Sequence, residues 1–298
     1  MVRRRIADLP VSRLAIWARR MGFFSLAATL VAVIIVRSGA LEIVPALSTL
    51  AGALLLAVFA ILLAMVAGIV IWFEGADGLR QAVAGLLIGL ALIAYPLYLG
   101  IKAYRLPALY DISTDSIDPP RFDAIARLRP RDANPTTYAG LYAAELQHKA
   151  YSDIEPDDTT ASPQEAFDAA MKVIAKRKWF VVDARPPQGI LPPQPRVVSA
   201  RTQPLPPPRD GLIEAVARTP ILGFRDDVVI RVRATTDGTR IDVRSASRYG
   251  RHDLGTNAAR VRSLVSDIDD VLALPVPEKK APPAKPAQPA GKGSSARR

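Results

Sequence analysis

The sequence predicts an α+β protein in which a three-helix N-terminal transmembrane unit precedes a small antiparallel sheet packed with helices. The first observation is that three long stretches, Met21–Val36, Leu47–Phe73 and Gln81–Ile101, contain no charged residue. Such stretches are typical of membrane-spanning helices. The second is that the polar remainder shows helix, strand, hairpin and helix patterns in that order. This order favours a sheet covered by helices on one side.

These patterns divide the chain into four parts. Residues 1–20 form a basic N-terminus, and residues 21–104 hold the transmembrane unit. Its three helices are expected at about 21–41, 47–73 and 79–101. Residues 105–274 form the extramembrane domain. Residues 275–298 are rich in Pro, Ala and Lys, which is typical of disordered tails because this composition offers little apolar surface to bury.

The net charge of +11 is not spread evenly over the chain. Residues 1–105 hold ten Lys and Arg against four acids, residues 275–298 hold six against one, and residues 106–274 hold 23 of each. A nucleic-acid-binding domain carries positive charge on the fold itself, so the neutral domain argues against a nucleic-acid partner. Because the chain has no cysteine, disulfide and thiolate chemistry are excluded.

The arginine positions predict an orientation in the membrane. Six arginines precede the first apolar stretch, whereas only Arg37 lies in the short loop after it. By the positive-inside rule, the N-terminus is cytoplasmic, and three crossings of the bacterial inner membrane leave the C-terminal domain in the periplasm. The 16 uncharged residues of the first stretch reach only about 24 Å of a hydrocarbon core of about 30 Å. If this segment does not cross, the domain is cytoplasmic instead.

Small residues in the third apolar stretch predict close helix packing. Gly85 and Gly89 form a GxxxG pattern, which lets two helices approach closely. Two interpretations stay open, namely packing among the three helices of one chain or a homodimer through Gly85 and Gly89. No Asp, Glu, Lys, Arg or His lies inside the three stretches. Transporters and proton pumps usually need such a residue there, so both classes are disfavoured.

The extramembrane domain begins with helix and strand signals. Pro163–Lys178 has the apolar spacing of an amphipathic helix, with Ser162 as its N-cap. Trp179–Ala184 and Gly211–Arg218 are predicted strands. Between them lies a proline-rich segment that contains one short strand candidate, Arg196–Arg201.

A hairpin is the clearest local pattern in the domain. Asp227–Thr236 and Thr239–Arg248 flank Asp237–Gly238, which is a strong two-residue turn signal. A two-residue turn sets Arg231 directly opposite Arg244, and two like charges in that position repel each other.

The opposed arginines have two interpretations. In one, acids from a neighbouring strand or loop neutralise them on a solvated face. In the other, the arginine side chains form an anion pocket, because the guanidinium fork suits phosphate and carboxylate groups. The second hypothesis gives an anion-binding candidate site of five residues: Arg231, Arg244, Arg248, Arg260 and Asn257.

The last two of these residues lie near the start of a final helix, which is predicted over Thr256–Leu272. Either Asp253 or Thr256 is expected to act as its N-cap. A helix N-terminus with nearby arginines can hold an anion. Helix capping together with ordinary surface charge explains the same residues without a ligand.

Several ordered motifs carry a resemblance to a known family. They are Leu106–Asp115 (LPALYDISTD), Pro119–Phe122 (PPRF), Gly223–Val232 (GFRDDVVIRV), Asp242–Gly250 (DVRSASRYG) and Asp253–Arg260 (DLGTNAAR). Over about 106–272 the chain resembles the bacterial domain of unknown function 1499 family in a membrane-anchored form. The resemblance implies one compact domain. It brings no activity and no catalytic residue.

Catalytic and metal sites have little support in the sequence. The chain has two histidines, His148 and His252, and no nucleophile elbow, P-loop or GxGxxG motif after a strand. Asp111, Asp115 and Asp118 invite a metal, but their spacing fits no calcium loop and suits turns better. We therefore expect no catalytic residue, no metal and no cofactor.

The expected function is that of a non-catalytic integral membrane protein of the bacterial cell envelope. Its extramembrane domain is expected to bind an anionic or amphiphilic ligand, or an envelope protein partner, at the surface of the lipid bilayer. The alternative is a structural or assembly factor that binds no small ligand. A hydrolase of unknown type has the least support.

Overall fold

The computed structural model describes residues 10–188 and 209–273. Its first three elements are helices that are long and apolar enough to cross a membrane. They are α1 (Arg13–Ser38), α2 (Ile43–Glu74) and α3 (Leu79–Arg105). Together with the antiparallel sheet that follows them in the chain, these helices confirm the predicted α+β class.

The first helix is longer than the predicted span. It begins at Arg13, eight residues before the predicted start at 21, and its 26 residues extend about 39 Å at 1.5 Å per residue. Arg19 and Arg20 lie inside the helix near its N-terminus, where long cationic side chains can reach water at a membrane surface. The helix as folded is therefore long and apolar enough to cross a membrane.

Alanine and glycine fill the space between the three helices, while large apolar side chains point outward. The buried positions of α2 are all alanines: Ala46, Ala53, Ala57, Ala60, Ala64 and Ala67. Exposed side chains of the bundle include Phe23, Ile34 and Leu55. Small residues inside and large apolar residues outside are the arrangement expected for helices surrounded by lipid.

The GxxxG residues of α3 face the other two helices. A Cβ atom added to Gly85 would lie 2.6 Å from the carbonyl carbon and oxygen of Ala18, and one added to Gly89 would lie 2.6 Å from Ile61 Cγ1. Both glycines are therefore used for packing within one chain. A homodimer through them stays a prediction.

The extramembrane domain is built on one antiparallel sheet. Its elements are β1 (Asp111–Ser113), α4 (Ala124–Leu128), α5 (Gly140–Ala150), β2 (Asp157–Thr159), α6 (Pro163–Lys176), β3 (Phe180–Arg185), β4 (Gly211–Arg218), β5 (Arg225–Ala234), β6 (Thr239–Ser247) and α7 (Thr256–Ala273). In the described residues the strand order is β1-β6-β5-β4-β3, and β2 also pairs with β6. The short strands β1 and β2 therefore share one edge of the sheet.

Helices α6 and α7 cover one face of this sheet and form the main core. The capping box predicted at Ser162 is present, with Glu165 as its second member. The buried side chains that build the core include Ile213, Ile230 and Val243 from the strands, Phe167 and Ile174 from α6, and Leu264 and Ile268 from α7. The opposite face has only a small apolar cluster around Phe122, Ile125, Val229 and Ala246. Charged side chains fill the rest of that face.

The hairpin is present, but its predicted register is wrong by two residues. The structure pairs Ala234 with Thr239, so the connection has four residues rather than two. Its tip is closed by a hydrogen bond from Thr235 N to Gly238 O of 3.0 Å. Packing explains the difference, because Gly238 lies against the backbone of Thr159 in β2. The shift sets Arg231 opposite Asp242 instead of Arg244, and the like-charged pair of the hairpin becomes Arg233 and Arg240.

Three predictions fall wholly or partly outside the described residues. They are the basic N-terminus before residue 10, the strand candidate Arg196–Arg201 and the disordered tail 275–298.

Candidate functional site

The sheet separates the five residues that were predicted to bind an anion. Arg231, Arg244 and Arg248 lie on the face away from α6 and α7, because they alternate with the core residues of β5 and β6. Asn257 and Arg260 lie on α7, which packs against the other face. All five side chains are buried. The structure therefore does not bring them into a single pocket.

Arg231 is bound by acids of its own chain. Its guanidinium group donates to Asp242 Oδ2 over 3.0 and 2.7 Å. It also donates to Asp118 Oδ2 over 3.0 Å and to the Asp118 carbonyl over 2.8 Å. The aspartates that invited a metal interpretation thus face arginines.

Arg244 lies still deeper and has a more complete set of partners. It donates to both carboxylate oxygens of Asp111 over 2.9 and 2.6 Å, and to the carbonyls of Pro120 and Thr136, each over 2.9 Å. The ring of Phe122 lies 4.7 Å from the guanidinium carbon. Burial raises the pKa of Asp111, and the bond to Arg244 opposes that change. This pair fixes β1 to the edge of the sheet.

The remaining predicted residues are also held internally. Arg248 donates to Asp227 through Nε and Nη2, over 2.9 and 2.7 Å to Oδ1. Arg260 donates to Asp226 and to the side-chain oxygens of Ser245 and Asn257. These contacts match the alternative in which acids of the chain neutralise the arginines. Anion binding by the five residues stays a prediction.

A cavity of about 380 Å³ lies elsewhere, at the junction between the helical bundle and the domain. Helix α3 contributes Tyr98, Leu99 and Lys102 to its wall. The domain contributes apolar side chains from the connection between β4 and β5 and from the segment before α7: Ile221, Phe224 and Leu254. The wall is mostly apolar and carries the cations Lys102 and Arg225. Its two acids are held within the chain, Asp226 by Arg260 and Asp253 by backbone amides. Its chemistry therefore suits the apolar part of a ligand together with a nearby negative charge.

Thr219 gives the connection between β4 and β5 a fixed shape. Thr219 N donates to Phe224 O over 2.9 Å, and its side-chain oxygen accepts from Phe224 N over 2.9 Å. Gly223 has a φ of +70°, which a glycine adopts without strain. The apolar sequence Pro220-Ile-Leu-Gly-Phe224 is thereby presented toward the bundle as a rigid loop.

Two polar contacts fix the domain to the ends of the helices. The guanidinium group of Arg37, in the last turn of α1, donates to the carbonyls of Pro220 and Ile221. His252 Nδ1 accepts from Leu254 N over 3.0 Å, so the ring proton lies on Nε2. That nitrogen is 3.1 Å from the carbonyls of Ala103 and Leu106 at the end of α3. The walls of the cavity are thus held from both sides.

Sequence reasoning did not find this junction. The two signals that were present are an apolar loop between two charged strand ends, and a histidine that follows the hairpin. Neither signal shows that its partner is the end of a transmembrane helix, since that contact joins residues about 150 positions apart in the chain.

The described part of the chain contains no cluster of three or more His, Cys, Asp or Glu side chains arranged to hold a metal. The titratable groups that line the junction cavity are Lys102, Arg225, Asp226, Tyr95, Tyr98, Tyr249, His252 and Asp253. Asp253 lies three residues before the start of α7, and its carboxylate accepts from Asn257 N, in the first turn of that helix, over 2.7 Å. Burial raises the pKa of this carboxyl group, and its backbone hydrogen bonds oppose that change.

The fold is that of a membrane protein in which a bundle of three apolar helices is followed by one α+β domain. The domain matches the family described as Protein of unknown function (DUF1499) over residues 111–268, more than half of the 298 residues. The chain belongs to this family. No curated protein and no solved structure matches the chain.

Proposed function

We propose that this chain is a non-catalytic integral membrane protein of the bacterial inner membrane that binds an amphiphilic ligand between its helices and its domain. The observation that carries this proposal is the junction cavity, because both parts of the molecule contribute to its wall. Its volume of about 380 Å³ lies within the usual range for small-molecule sites.

The position of the cavity supports an amphiphile rather than a soluble metabolite. Tyr95, Tyr98 and Tyr104 lie in the last turns of α3, where aromatic side chains mark the level of lipid headgroups. A ligand with an apolar part can enter from the lipid phase at this level. Lys102, whose ammonium group lies 5.8 Å from the Tyr98 ring centre, supplies a positive charge at the same level.

Arginine distribution supports the proposed orientation. The ends of α1 and α3 and the start of α2 lie at the domain, so the N-terminus of α1 is at the other side of the bundle. That far side carries Arg13, Arg19 and Arg20. By the positive-inside rule, this distribution supports a periplasmic domain.

The proposal is tested by native mass spectrometry of the full chain released gently from its own membranes. Leu99→Trp fills the cavity, whereas Leu97→Trp changes the exposed surface of the same helix. We expect wild type and Leu97→Trp to retain a bound amphiphile and Leu99→Trp to lose it. Equal ligand occupancy in all three proteins would contradict the proposal.

A second candidate is an assembly factor with no small ligand. The observation that favours it is the pair Leu141 and Tyr142, which start α5 with 87% and 75% of their surfaces exposed. A wild-type mass without any bound amphiphile would favour this candidate over the first.

A further inference from the structure

A second cavity, of about 410 Å³, adjoins the first at the membrane side of the domain. The two share Ile43, Phe224, Arg225 and Tyr249 in their walls. The second differs from the first in charge. Four arginines line it, namely Arg37, Arg218, Arg225 and Arg248, against two acids, Glu42 and Asp132.

Two of these arginines already have partners in the chain. Arg248 is paired with Asp227, and Arg37 donates to the carbonyls of the loop between β4 and β5. Arg218 and Arg225 differ from them. Within residues 10–188 and 209–273, neither has a carboxylate within the 4.0 Å of an ion pair, although the buried side chains Arg231, Arg244 and Arg248 do.

Arg218 and Arg225 are also direct partners across β4 and β5. Residues in this relation have Cα atoms about 5 Å apart. Two like charges at that distance repel each other. The neighbouring acids of β5 are already bound elsewhere, Asp227 by Arg129 and Arg248 and Asp226 by Arg260. Both side chains are exposed. Their guanidinium donors are thus available to a ligand that enters from the membrane surface.

An anion with several oxygen atoms satisfies this arrangement. Guanidinium groups form paired, charge-assisted hydrogen bonds with phosphate oxygens, and two arginines together can hold one phosphate. The first residues of α2 line the same cavity, where the partial positive charge of the helix N-terminus partly offsets the carboxylate of Glu42. The apolar cavity next to it accommodates an acyl chain on the same molecule.

We propose that Arg218 and Arg225 bind the phosphate of an anionic phospholipid, whose acyl part lies in the junction cavity. This inference rests on the proposed function and names the class of its ligand. A phospholipid fits both halves of the site, since one half is basic and open to the headgroup level while the other is apolar.

The experiment compares lipids of equal chain length in mixed nanodiscs that contain the full chain. The discs hold equal amounts of phosphatidylglycerol and phosphatidylcholine, and native mass spectrometry counts each lipid that stays bound. The test variant is Arg218→Gln with Arg225→Gln. The control, Arg127→Gln with Lys172→Gln, removes the same charge at exposed positions outside both cavities.

We expect wild type and control to prefer phosphatidylglycerol and the test variant to lose that preference by about tenfold or more. The test variant should still hold a lipid, which now shows no headgroup preference. Its thermal unfolding temperature should equal or exceed that of wild type, because a repulsive pair is removed. Arg218→Lys with Arg225→Lys, which retains the charge without the paired donors, should show a partial loss.

Four outcomes would overturn the inference. An unchanged preference in the test variant would show that these arginines do not read the headgroup. Equal stabilisation of the detergent-solubilised chain by inorganic phosphate alone would indicate a free phosphate site instead of a lipid site. A wild-type protein that holds lipid without any headgroup preference would leave the proposed function standing and remove this inference, whereas a wild type that holds no lipid would remove both.

Discussion

Glu214, Asp227 and Asp242 have no exposed surface, although each carries a carboxylate. They are satisfied in two ways. Glu214 accepts from the backbone amides of Asp123, Ala124 and Ile125 over 3.0, 3.0 and 2.8 Å, and so caps a helix that lacks a side-chain cap of its own. Asp227 and Asp242 bind arginines. A buried charge is tolerated only with such partners, so this face of the sheet is sensitive to single changes.

Arg244→Gln should lower the free energy of unfolding by about 3–5 kcal/mol, because it leaves Asp111 buried without its partner. The measurement is chemical denaturation of the full chain in detergent. The matched control is Arg127→Gln, at an exposed position on α4 with no ion pair in the described part of the chain. An effect of Arg244→Gln no larger than that of the control would show that the buried pair contributes little to stability.

Asp157 gives a prediction about pH. Its pKa is raised from 3.8 to about 6, mainly by burial and then by the neighbouring carboxyl group of Asp269. The folded domain therefore binds a proton more tightly than the unfolded chain between these two values. Stability should fall as the pH rises from about 4 to about 6 and then level off.

Asp157→Asn should remove most of this pH dependence and raise the unfolding temperature at pH 7. The control is Asp270→Asn, which changes an exposed carboxylate on α7, the helix that carries Asp269. The measurement is the thermal unfolding temperature of wild type and both variants across pH 4–8. A wild-type curve that rises across the same window would be incompatible with a raised pKa at Asp157.

At the level of elements, the helical bundle depends on close backbone contact. Gly85 approaches the backbone of Ala18 so closely that a Cβ atom has no room, whereas Gly100 on the same helix has no atom within 4 Å of that position. Larger residues have no room at such a contact. Close packing matters here because lipid offers no hydrophobic drive to hold helices together.

Gly85→Ala should therefore destabilise the bundle by about 1–3 kcal/mol through overpacking. Gly100→Ala should leave it unchanged or slightly more stable, since alanine has the higher helix propensity. Thermal unfolding in detergent micelles measures both. If the two variants behave alike, then α1 and α3 do not pack through Gly85.

Local sequence signals were sufficient for many elements of the domain. The strand Gly211–Arg218 was predicted at its observed bounds, and α7 starts at the predicted Thr256. Asp253 is not at the N-cap position itself, but its carboxylate accepts from Asn257 N in the first turn. Short elements were missed, among them β1, β2, α4 and α5. Helix α4 has five residues and takes its cap from Glu214, which is 91 residues away from Asp123, so no local pattern marks it.

The hairpin register shows why local turn signals are not sufficient. The Asp237–Gly238 pair favours a two-residue turn, yet the observed loop has four residues because its tip packs against β2. The candidate site had the same difficulty. Its arginines were recognised as unusual, but Arg231 and Arg244 bind Asp118 and Asp111, which lie in β1 and the segment after it, where the sequence favoured turns.

For the whole molecule, the domain and the bundle meet through contacts at both sides of one cavity. Arg37 holds the loop between β4 and β5, and His252 holds the end of α3. Because these contacts join distant parts of the chain, composition and periodicity cannot reveal them. The proposed lipid site exists only in the full-length chain, where both walls are present.

Orientation is tested with single cysteines, since the chain has none of its own. Thr236→Cys lies in the hairpin loop of the domain, and Glu74→Cys lies at the opposite end of the bundle. A maleimide that crosses only the outer membrane should label the first position in intact cells. It should label the second only after the inner membrane is opened. The reverse pattern would place the domain in the cytoplasm.

The central claim is that a phospholipid lies between the bundle and the domain. The most direct test is a crystal of the full chain grown with phosphatidylglycerol that carries bromine on its acyl chains. The account predicts an anomalous bromine peak in the cavity bounded by Leu99, Phe224 and Leu254. Bromine peaks found only around the outer surface of the three helices, with this cavity empty, would contradict it.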